Sequence, residues 1–78
     1  MLTVNLLFDC FVRYGIKDTA YAFYSLKEDA FSVIKCGSQW KVVYVERGVP
    51  RTLAIGENES QALNLLRLFV MESERGFK

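Results

Sequence analysis

Apolar residues fall at helical spacing near both ends of the chain and at alternating spacing between them. Near the start, Val4, Leu7, Phe8, Phe11 and Tyr14 recur every three or four positions, with Leu6, Cys10 and Val12 widening the stripe. Thr3 stands where a helix cap belongs. Gly15 stands where a left-handed residue would end the helix, with Ile16 folding back over the last turn in a Schellman motif. A first helix is therefore expected, closed by a loop at Lys17-Asp18-Thr19.

The pattern then changes to period two. Aromatic density over 20–26 predicts a strand, with Tyr21 and Phe23 on one face and Ala22, Tyr24 and Leu26 on the other. Lys27-Glu28-Asp29 reads as a charged turn, and 31–35 as a second strand. Cys36-Gly37-Ser38-Gln39 supplies hairpin chemistry. The third strand, 40–46, is the run Trp40-Lys41-Val42-Val43-Tyr44-Val45-Glu46, which ends abruptly in charge and glycine. Arg47-Gly48-Val49-Pro50 is the next turn, and 51–55 a fourth strand, placed at an edge by the proline before it.

Helical spacing returns in the last third. Asn58 can cap through its side-chain oxygen while Gln61 reaches back, a variant capping box. Glu57 and Glu59 suit the positive end of the helix dipole, and Arg75 the negative end. Ala62, Leu65, Leu66, Phe69 and Val70 mark the buried face; its four large side chains are worth roughly 6–12 kcal/mol before entropy is set against them.

The expected architecture is an α+β single domain spanning 1–78. Its order is αββββα, with both helices on one face of a four-stranded antiparallel meander. The strands are taken as antiparallel because no turn looks long enough for a crossover. The helices are assigned to the Val42/Tyr44 face, since Lys41 and Arg47 flank the other. That leaves Val43 and Val45 on a second apolar face, which would need cover from a partner or a second copy of the chain.

Composition narrows the function. The chain has 78 residues and is 51% hydrophobic, with six Phe, four Tyr and one Trp, which leaves apolar surface beyond a minimal core. Ten Lys and Arg against nine Asp and Glu argue against a large phosphate-binding footprint. Cys10 and Cys36 form no C-x-x-C pair and are expected as buried free thiols. The first residues lack the basic and small-residue pattern of a signal peptide. Asp9, Arg13 and Arg67 interrupt the apolar runs well short of a membrane span, so a cytoplasmic protein is expected.

Candidate chemistry is sparse. Histidine is absent, which removes the usual general base and the commonest metal ligand. No phosphate-binding, dinucleotide-binding or nucleophile-elbow motif occurs, and no cofactor or metal is expected. The carboxylate pair Glu57/Glu59 reads more simply as helix-start acids than as a catalytic acid and base. A binding protein is therefore expected rather than an enzyme. Trp40 is either a core anchor or a partner hot spot. Glu46-Arg47-Gly48 is a strand end that could hold an ion pair from Arg47 or Arg51 to Glu46. Glu28 and Asp29, with Glu57 and Glu59, are carboxylates on turns that could enter the phosphate groove of a basic nuclease.

The series Tyr24-Ser25-Leu26, then Trp40, Val42, Tyr44, Glu46, Arg47 and Gly48, then Glu59 and Ala62, resembles small immunity proteins. These accompany bacterial polymorphic toxins and contact-dependent growth inhibition systems. The likeness covers most of the chain, although Ala54-Ile55-Gly56-Glu57 lacks the phenylalanine expected before the final helix, and the charge is less acidic than in many nuclease inhibitors. The resemblance implies a cytoplasmic protein that binds a cognate toxin domain, often a nuclease, and occludes its active site or an adjacent exosite. Two other readings compete. One is a double-stranded-RNA-binding-like αβββα module, disfavoured by acids where lysines would be needed. The other is a homodimeric structural module.

Overall fold

The structure is a computed structural model and describes residues 1–76, with side chains through Glu74; the side chain of Arg75, the expected partner of the helix dipole, lies outside the described residues. The described residues form helix α1 (Val4–Arg13), a 3-10 turn (Asp18–Ala20), strands β1 (Tyr21–Phe23), β2 (Phe31–Cys36), β3 (Gln39–Glu46) and β4 (Val49–Gly56), and helix α2 (Glu59–Gly76). The sheet order is β1-β2-β3-β4, so β4 is an edge strand as expected.

Both helix starts are capped as the sequence suggests. Thr3 Oγ1 accepts the Leu6 N–H at 3.3 Å, and Asn58 Oδ1 accepts the Gln61 N–H at 2.9 Å. Gln61 reaches back to the Glu57 N–H, one residue beyond the usual capping-box donor. At the end of α1, Gly15 has φ +70°, its N–H donates to Val12, and the Ile16 N–H donates to Phe11. That is the expected Schellman closure.

The core lies between the helices and the Val42 face of the sheet. Leu7 and Phe11 of α1 meet Tyr21, Val33 and Val42, together with Ala62, Leu63, Leu66 and Val70 of α2. Leu63 was not expected there. Leu65 and Phe69 are only partly buried, and Phe8 and Tyr14 are exposed. The apolar stripe of α1 is thus broader than the surface available to cover it.

The sheet corrects the antiparallel meander. β2–β3 and β3–β4 are antiparallel, but β1 pairs with β2 in parallel, Tyr21 opposite Phe31 and Phe23 opposite Val33. The first strand stops at Phe23 because Tyr24 takes φ +63° and turns the chain out of the sheet. Residues 24–30 then return it to the starting end. A three-residue strand is only about 10 Å long, and seven extended residues reach about 25 Å, so no helix is needed in this crossover. Reading 20–26 as one strand concealed this connection.

The same segment covers the second face. Val43 and Val45 point away from the helices yet are 1% and 2% exposed. Ser32, paired with Val43, donates its hydroxyl to the Ser25 carbonyl at 2.5 Å. The Asp29 N–H donates to the Val45 carbonyl, and the Val45 N–H to Ala30. The chain therefore supplies the cover that was expected from a partner or a second copy.

The hairpins are tighter than expected. Cys36 pairs with Gln39 across Gly37-Ser38, and Glu46 with Val49 across Arg47-Gly48. Val49 and Pro50 belong to β4, not to the turn. Arg47 and Gly48 both have positive φ, the signature of a type I′ turn. Both cysteines are free, but Cys10 is only half-buried and Cys36 is exposed, against the expectation of buried thiols.

Candidate protein-interaction surface

The candidate residues divide between the two ends of β3. A strand advances about 3.3 Å per residue, which puts Trp40 and Glu46 roughly 20 Å apart. They form two sites, not one.

At the turn end, Glu28 and Asp29 of the crossover meet the end of β3 and its turn, Glu46-Arg47-Gly48. The Glu28 carboxylate accepts the Gly48 N–H through both oxygens, at 2.9 and 3.0 Å, tying the crossover to the β3–β4 turn. Asp29 takes φ +57° beside it. Glu46 pairs with Arg51 at 4.0 Å, the partner expected as an alternative to Arg47. Both side chains are largely exposed, so this ion pair contributes little stability. Burial, followed by the charges of Asp29, Glu46 and Glu28, raises the Tyr44 hydroxyl above its ordinary value.

At the other end, Tyr24, Trp40 and Glu59 meet. The Tyr24 and Trp40 rings pack edge to face with centroids 5.9 Å apart. The Tyr24 hydroxyl donates to Glu59. Burial first, then this bond and the Glu59 charge, push the Tyr24 pKa up to about 12. Trp40 is partly buried against the core, so it is both an anchor and an accessible ring. Glu57 is exposed nearby in sequence, its N–H held by Gln61.

Val42 and Ala62 are core residues, and Gly48 serves the turn. Two contributors were missed. Lys35 holds its Nζ 5.4 Å from the centre of the Trp40 ring. It sits directly opposite Trp40 in the register, which a two-residue turn at Gly37-Ser38 would have revealed. Gly56 is the other: it is buried against Ala62, where no side chain fits.

Among the described residues, no group of three or more Cys, Asp or Glu is placed to hold a metal, and no helix is long and apolar enough to cross a membrane. The fold and surface define a small α+β protein with a helical layer on one side of a mixed sheet. Set against protein-family models, curated proteins and solved structures, the chain matches none.

Proposed function

We propose that this chain is a cytoplasmic immunity protein that binds a cognate toxin domain, of nuclease type, and occludes its active site or an adjacent exosite. The observation that carries the reading is the bond from the Gly48 N–H to both oxygens of Glu28, which holds Glu28 and Asp29 against the turn that follows Glu46. Two turns present these carboxylates, and the Glu28–Gly48 bonds lock the turns together. Carboxylates held in this way can face a cationic phosphate-binding groove without a large ordering cost. Their field speeds capture of a cationic partner.

The test is co-expression with a toxin domain encoded beside this gene. A stable one-to-one complex on size exclusion, with rescue of growth, is the expected result. Glu46→Lys should slow association and flatten its fall with salt, because the attraction that salt screens is reduced. A neighbouring toxin that neither binds the chain nor is neutralised by it would overturn the reading.

A further inference from the structure

The Trp40 end of the sheet has the chemistry of a cation receptor. An aromatic face attracts ammonium and guanidinium groups, and a carboxylate at its margin adds charge and a hydrogen-bond acceptor. The aromatic face is that of Trp40, which packs against Tyr24 with centroids 5.9 Å apart, and the Tyr24 hydroxyl is bonded to the Glu59 carboxylate. The site already holds a cation of its own, the Lys35 ammonium over the Trp40 ring. That contact is exposed and made by a long, mobile side chain, so an incoming cation can displace it at little cost.

The backbone is a second, independent sign. Tyr24 is non-glycine at φ +63°, a conformation that disfavours a bulky residue. Glycine at this turn would relieve the strain but delete the ring. The strained position is occupied by the side chain that walls Trp40 and fixes Glu59, which fits a site kept for recognition.

The geometry points to Tyr24, Trp40 and Glu59 as a receptor for an arginine or lysine side chain on a protein partner, with Lys35 as its resident competitor. This deepens the proposed binding function and rests on it. It adds the class of group recognised at the end of β3 remote from the acidic corner. A guanidinium would lie over the indole, where Lys35 now sits, and donate to the Glu59 carboxylate beside Tyr24.

Trp40 is the only tryptophan in the chain, so its fluorescence reports this site directly. The experiment titrates the full chain with a hexaarginine peptide at low salt, with hexaglutamate as the control. The expected result is a saturable change with hexaarginine alone. Lys35→Ala should tighten binding roughly two- to fivefold, the range conferred by a cation over an exposed ring. Lys17→Ala, which removes the same charge elsewhere, should change affinity much less. Glu59→Gln should weaken it. Absence of a saturable signal, or equal effects of Lys35→Ala and Lys17→Ala, would overturn the assignment. Toxin binding is read separately by size exclusion, so failure of this site is distinguishable from failure of the proposed binding function.

Discussion

Glu28 and Gly48 are twenty residues apart in sequence, yet the carboxylate of the first receives the backbone N–H of the second through both oxygens, at 2.9 and 3.0 Å. This bond fastens the crossover that covers Val43 and Val45 to the turn that ends β3. One side chain thus links the hidden face of the sheet to the surface proposed for binding. Glu28→Ala should cost about 0.5–1.5 kcal/mol, the net worth of a largely exposed hydrogen bond. It should also speed amide exchange at Gly48 and Asp29 while α2 remains protected. Unchanged exchange at Gly48 would show that the latch does not hold the corner.

Arg47 occupies the first central position of a type I′ turn, with φ +54°. Asparagine tolerates that conformation better than arginine does, and Asn-Gly is the favoured pair for this turn. Arg47→Asn should therefore stabilise the protein, by about 0.5–1 kcal/mol, measured as a raised urea midpoint with unchanged slope. A fall in stability would mean that the Arg47 side chain makes interactions worth more than the backbone strain it imposes.

A Cβ added at Gly56 would lie 2.9 Å from the Ala62 nitrogen and 3.0 Å from both its Cα and its Cβ. The end of β4 approaches the first turn of α2 too closely for a side chain. Gly56→Ala should destabilise by about 1–3 kcal/mol, the usual cost of overpacking. Adding Ala62→Gly removes one of the three clashes but leaves the two with backbone, so rescue should be partial at best. A Gly56→Ala protein as stable as the parent would show that the helix can shift without penalty.

Most of the architecture was legible because it is local. Helix periodicity, Thr3, Gly15 and Asn58 set the two helices, and the Lys41/Arg47 pattern assigned Val42 to the helical face, where it packs against α2. The parallel strand was not legible, because it depends on one backbone angle at Tyr24 that a strand-like side chain disguises. Missing it made the Val43/Val45 face look unpartnered. The candidate site was legible as residue types but not as geometry. Trp40 and Glu59 stand out in sequence, whereas their meeting through Tyr24, and the cation lent by Lys35, required the fold. Gly56 carries no signal by type, since its need arises only from the approach of Ala62.

The Tyr24–Glu59 bond should be visible in the dependence of stability on pH. Burial and the Glu59 carboxylate favour the protonated phenol and hold its pKa at about 12, above the ordinary value of 10.0. Between those values the unfolded chain has released this proton while the folded chain keeps it. Unfolding is then increasingly favoured as pH rises. The contribution is fully present below about pH 10 and is lost as pH climbs towards 12. Tyr24→Phe removes that dependence together with the bond to Glu59. Its stability should be lower than the parent's near neutrality by about 0.5–1.5 kcal/mol, and the gap should close at alkaline pH. Urea unfolding followed across the alkaline range checks this directly. The phenols of Tyr21 and Tyr44 are also raised, by burial first and nearby carboxylates second, so both proteins keep a residual alkaline slope. A gap that stays constant with pH would show that Glu59 does not hold the Tyr24 proton.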